Sequence, residues 1–214
     1  MRETERAGAA TGARGAKGDE MAFLRSTQID AEAEVSGRQV VLRHPTMADY
    51  AAWAELRAQS RQHLTPWEPQ WSRDELARSA YRRRLRQYQR ELKEDLGYAF
   101  LIFRQADGVL LGGLSISNVR RGVAQAAAIG YWIGRPHVGR GHMTDAVKAI
   151  VPYAFGTLGL HRLEAACLPH NTASARVLEK AGFRREGLAR RYLRIDGVWQ
   201  DHDLYALLQD DVQG

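Results

Sequence analysis

Two kinds of hydrophobic spacing divide most of the chain into predicted helices and strands. Apolar residues recur every three or four positions over residues 145–158, which predicts an amphipathic helix that Gly156 and Gly159 end. Elsewhere, alternating or continuous apolar segments predict strands. These segments are residues 35–43, 98–104, 109–117, 124–133, 160–168, 192–195 and 199–207.

Three further helices are predicted. Thr46 and Asp49 have the spacing of a capping box, with Asp in place of Glu, and predict a helix directly after them. An arginine-rich helix with a thin apolar face is predicted within residues 73–92. Asn171 can cap a third helix, which Gly182 ends.

Short glycine turns predict how the strands are joined. Asp107-Gly108 and Asp196-Gly197 each stand between two predicted strands, as in a tight hairpin. Most neighbouring strands should therefore run antiparallel, while the predicted helices separate the others. The pattern predicts an α/β (α+β) fold with a mixed, mostly antiparallel central sheet and helices on both of its faces.

The turn before the helix at residue 145 contains Gly139 and Gly141. Glycine lets the backbone approach a ligand closely, and the first N–H groups of a helix have no intrahelical acceptor, so the turn suits a phosphate or pyrophosphate. A nucleotide P-loop would need Lys and then Ser or Thr where His142 and Met143 stand, and a dinucleotide turn would need a third glycine at Thr144. An ordinary tight strand-to-helix turn remains the alternative.

The order of these landmarks resembles that of the GCN5-related N-acetyltransferase (GNAT) family. The family's acetyl-CoA loop, Q/R-x-x-G-x-G/A, is matched at both glycines by residues 136–141, with Pro136 in place of Gln or Arg. An Asn that opens a helix ending in Gly-Phe, a second landmark, is matched by Asn171, Gly182 and Phe183. Further segments resemble the RimJ/RimL branch, which acetylates protein N-termini, among them ribosomal ones: residues 64–69, 160–162, 171–183, 186–187 and 191–202.

This resemblance implies a sheet that splays at an acetyl-CoA slot, with acetyl-CoA as the cosubstrate. It places oxyanion donors at the main-chain N–H groups of Trp132 and Ile133, and a contact to the pantetheine arm at Asn171. The pyrophosphate would lie on the amides of Val138, Gly139, Arg140, Gly141, His142 and Met143.

The resemblance assigns the acid and the base less directly. Many relatives carry a tyrosine seven residues after the Asn as proton donor to the departing thiolate, but this chain has Leu178 there. Ribosomal-type relatives carry a serine three residues after the Asn, which corresponds to Ser174, although a serine in a first helical turn is also an ordinary capping residue. A glutamate base that some relatives carry falls on Leu193.

The base must therefore come from elsewhere, because acyl transfer to an amine needs a group that takes the amine's proton. Glu68 and Glu164 are the candidates, with a salt bridge as the alternative role for each, and Tyr192 could contribute by hydrogen bonding. Trp67 and Trp71 lie in a proline-flanked loop that we expect to shape the acceptor pocket. No spacing of Cys and His residues typical of a metal site occurs, so we expect no metal.

Composition bounds the remaining choices. The 214 residues are 44% hydrophobic, enough for one well-cored domain, which we expect over residues 35–210. Residues 1–34 are rich in Gly, Ala, Arg and Glu, and we expect a disordered tail there. The single cysteine, Cys167, excludes a disulfide framework and fits a reducing compartment. No apolar segment approaches a membrane span, so we expect a cytoplasmic protein with no membrane partner.

Charge adds a hypothesis about partners. The net charge of +6 and the arginine-rich helix favour either a solvated surface or a non-specific contact with rRNA or an acidic protein. Three functions stay open: acetylation of the N-terminal alanine of a ribosomal protein, acetylation of a small amine such as an antibiotic or polyamine, and a non-catalytic, CoA-binding role at the ribosome. The oligomeric state also stays open.

Overall fold

The computed structural model describes residues 33–213. The tail predicted for residues 1–34 lies almost entirely outside this range. The strands are β1 (Glu34–Ser36), β2 (Val40–Arg43), β3 (Tyr98–Arg104), β4 (Leu110–Arg120), β5 (Ala126–Ile133), β6 (Arg162–Cys167), β7 (Arg184–Ile195) and β8 (Val198–Leu208). The α-helices are α1 (Tyr50–Gln59), α2 (Arg61–Leu64), α3 (Arg78–Lys93), α4 (His142–Pro152), α5 (Thr172–Lys180) and α6 (Asp210–Gln213).

The eight strands form one open sheet in the order β1-β2-β3-β4-β5-β6-β8-β7. Every neighbouring pair is antiparallel except β5 and β6, which are parallel. The chain between these two strands crosses over through α4, as a parallel connection requires. The predicted mixed, mostly antiparallel sheet is confirmed.

The parallel pair is joined over only part of its length. Ala126, Ala127 and Ala128 pair with residues 162–164. Beyond them, β5 continues to Ile133 and β6 to Cys167, but the two strands no longer pair with each other. The two strands therefore diverge after their first three residues. We call the opening between these unpaired halves the sheet gap.

Helices cover both faces of the sheet, as predicted. On one face, α1 and α3 pack on β3 and β4 through a cluster of buried residues: Trp53, Leu56, Tyr81, Leu85, Leu101 and Leu110. On the other face, α4 buries Ala146, Val147 and Ile150 completely. The apolar spacing that predicted this helix is thus the spacing of its buried side.

The predicted strand over residues 35–43 is two strands joined by a turn at Gly37. The turn is closed by a hydrogen bond from the Gly37 N–H to the Val40 carbonyl at 2.8 Å. Asp145, in the first turn of α4, accepts hydrogen bonds from the N–H groups of Arg38 at 3.1 Å and Gln39 at 2.7 Å. Because Asp145 is more than 100 residues away in sequence, the hydrophobic pattern of the segment could not show this turn.

The helix predicted over residues 145–158 begins three residues earlier, at His142, and its last turn widens over Tyr153–Thr157. Within residues 33–213, no helix has both the length and the apolar character needed to cross a membrane.

Candidate active site

The sheet gap exposes main-chain N–H groups of β5. The Gly134 N–H donates to the Leu111 carbonyl of β4 at 2.8 Å, and successive residues of a strand point their N–H groups to opposite sides. The Trp132 N–H therefore points toward β4, whereas the N–H groups of Tyr131 and Ile133 point into the gap. Of the two N–H groups expected there, the structure brings only that of Ile133 to the gap.

The loop after β5, residues 134–141, leads from the gap to the start of α4, and we call it the glycine loop. Gly139 and Gly141 have φ angles of +74° and +81°, which a side chain disfavours. A Cβ atom at either position would meet no other atom within 4 Å, so the space in front of the loop is open.

The start of α4 offers donors to this open space. Its first main-chain hydrogen bond runs from the Asp145 N–H to the Gly141 carbonyl at 3.0 Å, so the N–H groups of His142, Met143 and Thr144 precede the first helical bond. The turn that the sequence predicted to suit a phosphate thus combines helical amides ahead of the first helical bond, an open approach and the positive end of the helix dipole. We call residues 138–143 the anion cradle. A pyrophosphate fits this donor set.

Helix α5 brings Ser174 to the face of the gap on which α4 packs. Asn171 precedes the helix, and its Oδ1 accepts a hydrogen bond from the Ser174 N–H at 3.1 Å, as the predicted cap requires. The Ser174 Oγ lies 2.9 Å from the hydroxyl of Tyr131 on β5. The pair therefore spans the gap from its β6 side to its β5 side.

Burial sets the protonation of this cluster. It raises the pKa of Tyr131, and it raises the pKa of the Cys167 thiol, which hydrogen-bonds Ser174, to about 11. The phenol and the thiol are therefore both protonated near neutral pH. Cys167 behaves here as a buried, protonated side chain rather than as a nucleophile.

A cleft of about 390 Å³, which we call the aromatic cleft, lies over β3, β4 and β5 and reaches residues 130–132 of β5, the strand that borders the gap. Its floor includes Gly113 and Ser115 of β4 and Gly130 of β5, whose small side chains leave room above the sheet. Its walls combine aromatic and charged side chains: Trp53, Arg57, Glu68, Trp71, Glu75, Tyr81, Arg84, Tyr88 and Trp132.

A buried arginine organises this cleft. Arg57 of α1 is only 5% exposed and binds both carboxylate oxygens of Glu68, at 2.6 and 2.8 Å. Its guanidinium lies 4.2 Å from the ring centre of Trp71 and 5.0 Å from that of Trp132. Two-point pairing and stacking on aromatic rings are the interactions that arginine makes best, and they offset the cost of burying its charge.

The loop that carries Glu68 is fixed at several further points. The Trp71 Nε1 donates to the Glu68 carboxylate at 2.8 Å, and the Glu68 carbonyl accepts a hydrogen bond from the Asp196 N–H at 2.9 Å. The ring of Trp67 packs against His170, which precedes α5, with 5.4 Å between centroids. The loop thus joins α1, the β7–β8 turn and the end of β6 around the cleft.

Comparison with known proteins identifies this arrangement. The family profile described as an acetyltransferase (GNAT) domain matches residues 39–184, most of the chain. The chain is a member of the GNAT family. Probable N-acetyltransferase YjcK of Bacillus subtilis is 38% identical over 177 residues, which cover 83% of this chain and 98% of that protein. The [ribosomal protein uS5]-alanine N-acetyltransferase of Escherichia coli is 36% identical over 165 residues, covering 76% and 85%.

Solved structures agree with this assignment. Mycobacterium smegmatis RimJ, determined in complex with CoA-disulfide, superposes with a TM-score of 0.81 at 35% identity, covering 85% of this chain and 90% of that one. A ribosomal-protein-S5-alanine acetyltransferase from Vibrio fischeri gives a TM-score of 0.78 at 32% identity, covering 84% and 98%. This GNAT protein is therefore an acetyltransferase with relatives of the RimJ type.

Two predicted site residues of this GNAT protein lie away from the open part of the gap. Glu164 pairs with Ala128, where β5 and β6 are still joined, and its carboxylate is held by Arg120 at 2.6 Å and Arg162 at 3.0 Å. Tyr192 lies on the edge strand β7, about half exposed, with its ring against His202. The structure instead brings Ile133, Asn171 and Ser174 to the gap, and Glu68 and Trp71 to the aromatic cleft.

Sequence reasoning missed two residues of the GNAT site, Arg57 and Tyr131. A signal for Arg57 does exist, because Trp53, Leu56 and Arg57 follow the three- and four-residue spacing of one helical face, and all three are buried. Tyr131 falls on a predicted strand, where its partner depends on how α5 packs, and no local pattern reports that.

Proposed function

We propose that this chain transfers the acetyl group of acetyl-CoA to the α-amine of a protein N-terminus, the N-terminal alanine of a ribosomal protein. The observation that carries the proposal is the position of β5, which borders both the sheet gap, with the glycine loop and Ser174, and the aromatic cleft, which residues 130–132 line. A donor in the gap and an acceptor in the cleft would thus meet along β5. The named activities of the E. coli and V. fischeri relatives support the choice of acceptor.

On the donor side, we assign the pyrophosphate of acetyl-CoA to the amides of residues 138–143. Acetyl-CoA supplies the thioester that the amine attacks. The Asn171 Oδ1 caps α5, so its Nδ2 group is the donor assigned to the pantetheine arm. The N–H of Ile133 is assigned to the oxyanion, because it points into the gap.

We assign Ser174 as the proton donor to the departing CoA thiolate. Its hydroxyl lies on the α5 side of the gap, and the 2.9 Å contact to the Tyr131 hydroxyl provides a second protonated group that can replenish it. Ser174 thereby takes the place of the tyrosine that Leu178 replaces.

We assign Glu68 as the carboxylate that receives the amine's proton, through water. An α-amine has a pKa near about 8, so its deprotonation near neutral pH costs little and a weak base is sufficient. Glu68 lines the aromatic cleft, whereas Glu164 is held by two arginines at the closed end of the gap and Tyr192 lies on β7. Trp71 and Trp67 form the loop wall against which the acceptor peptide would lie.

A surface feature supports a ribosomal partner in the cytoplasm. Arg82, Arg86 and Arg90 of α3 are exposed at four-residue spacing, and Lys93 continues this row. Such a row suits a non-specific contact with the phosphates of rRNA. Reversing the three arginine charges should weaken salt-dependent binding to ribosomal particles and leave acetylation of a free peptide unchanged.

A panel of acceptors tests the proposal. Purified protein is incubated with labelled acetyl-CoA and either N-terminal peptides of ribosomal proteins or small amines such as polyamines and aminoglycosides. We expect label on the α-amine of alanine-terminal peptides, and loss of label when that amine is blocked. Transfer to small amines alone would replace the proposed acceptor, and absence of any transfer would leave only a CoA-binding role.

A further inference from the structure

A second pocket, of about 360 Å³, lies beside the start of α4 and has no part in the chemistry assigned above. We call it the cationic pocket. Three separate segments form it: the β1–β2 turn, the β3–β4 hairpin and the first residue of α4. Its lining residues are Arg38, Gln39, Arg104, Gln105, Ala106 and His142.

The charged side chains that line this pocket are arginines. Among residues 33–213, none of those that line it is acidic. Two carboxylates lie beside it: Asp107 forms an ion pair with the Arg104 Nε at 3.0 Å, whereas Asp145 keeps its negative charge and accepts from the N–H groups of Arg38 and Gln39. Arg38 is exposed and makes no ion pair with any of residues 33–213.

His142 connects the pocket to the anion cradle. The residue lines the pocket, and its main-chain N–H belongs to the first turn of α4. The residue is only 6% exposed, yet its Nδ1 has no hydrogen-bond partner within the described part of the chain. A buried, unpaired ring nitrogen is costly unless a ligand completes its hydrogen bonding.

The neighbouring groups strengthen the positive potential. Arg104 and Arg140 face both His142 and His137, and after burial itself they lower the pKa of both imidazoles. Both imidazole rings are therefore neutral near pH 7, and each can still donate one N–H. The positive charge of the pocket comes from the arginines. Arginine forks are the side chains best suited to phosphate oxygens.

We propose that the cationic pocket binds the phosphomonoester of CoA, the 3′-phosphate on the ribose next to the pyrophosphate. This inference rests on the proposed use of acetyl-CoA. Once the pyrophosphate lies on the amides at the start of α4, the 3′-phosphate is tethered nearby, and Arg38, Arg104 and His142 supply the donors it needs.

A binding comparison tests this directly without measuring activity. Titration calorimetry gives the Kd values of CoA and of 3′-dephospho-CoA for the unmodified protein, for an Arg38→Ala/Arg104→Ala variant and for a control, Arg82→Ala/Arg86→Ala on α3. We expect the unmodified protein and the control to prefer CoA by about tenfold or more, which corresponds to about 1.4 kcal/mol. In the pocket variant the preference should fall to about twofold or less, with the Kd of 3′-dephospho-CoA unchanged.

Three results would overturn the proposal. The unmodified protein could bind both ligands equally, the pocket variant could keep the full preference, or it could weaken both ligands by the same factor. The last result would mean that the arginines act on the rest of the nucleotide. A normal preference for CoA without any acetyl transfer would count against the proposed function and not against this pocket, so the two failures can be told apart.

Discussion

At the scale of single residues, three side chains from two segments of the chain meet at the sheet gap. Asn171 orients Ser174 through its cap on α5, and Tyr131 reaches the Ser174 hydroxyl from β5. This geometry gives the protein a hydroxyl pair where relatives with a tyrosine donor have one phenol. The acid role proposed for Ser174 therefore depends on how α5 packs against β5.

Replacing Ser174 by Ala should lower kcat by about tenfold to a hundredfold, because a positioned general acid contributes at least that much. The affinity for CoA should stay within about twofold, because the Asn171 side chain and the α4 amides are untouched. Steady-state kinetics and CoA titration measure the two effects. Thr172→Ala, in the exposed first turn of the same helix, is the control, and full activity of Ser174→Ala would remove the assigned acid.

Replacing Glu68 by Gln should affect both stability and rate. It leaves the buried Arg57 without its two-point partner, so we expect a loss of about 3–5 kcal/mol in the free energy of unfolding. The base role predicts a lower kcat, with CoA affinity retained.

Glu75→Gln serves as the matched control, because Glu75 lies 3.7 Å from Arg57 but makes no two-point pair with it. If Glu68→Gln is as unstable as expected but keeps its kcat, Glu68 is a structural residue only. The Glu68 carboxylate would then only fix the loop that carries it, and water alone would receive the proton of the amine.

At the scale of elements, the site depends on two interruptions of regular structure. The pairing of β5 with β6 stops after three residues, and the glycine loop reverses the chain into α4 with two left-handed glycines. The first interruption opens the sheet, and the second exposes helical amides to that opening. Neither strand nor helix alone would make a ligand site.

Replacing Gly141 by Ala should cost about 1–2 kcal/mol of stability, because its φ of +81° is unfavourable for a residue with a Cβ. It should also weaken CoA binding, because the backbone must shift to relieve that strain. Thermal melting and CoA titration measure both. Gly187→Ala is the control, since a Cβ there meets nothing within 4 Å and its φ is not positive. Equal stability and affinity of the two variants would contradict the cradle.

At the scale of the whole molecule, local patterns predict what local forces determine. The amphipathic period of α4, the Asn171 cap and the Asp196-Gly197 turn are set by residues adjacent in sequence, and the structure confirms them. The cleft is different. Arg57 is buried because Glu68, Trp71 and Trp132 reach it from separate segments, and only the tertiary structure brings these together.

The histidines make the fold sensitive to acid. Burial lowers the pKa of His44 and of His142, so below about pH 6.5 the unfolded chain binds more protons than the folded one. The free energy of unfolding should therefore fall as the pH is lowered from 7 to 5. Urea denaturation across this range measures the slope.

The His44→Asn variant isolates one contribution to that slope. Asn can still donate a hydrogen bond to the Ala99 carbonyl, which the His44 Nδ1 contacts at 2.7 Å, but it does not titrate. Its stability at pH 7 should be lower because the ring stacking on Phe100 is lost, and its pH slope should be shallower. A flat or rising stability of the unmodified protein toward pH 5 would contradict the account.

The central claim is that this GNAT protein acetylates the α-amine of a protein N-terminus. Mass spectrometry of the N-terminal peptides of the host proteome, compared between cells with and without the gene, tests it most directly. We predict that one or a few ribosomal proteins beginning with alanine lose their acetyl group when the gene is deleted, and regain it with the intact gene but not with the Ser174→Ala form. An unchanged set of acetylated N-termini would contradict the claim.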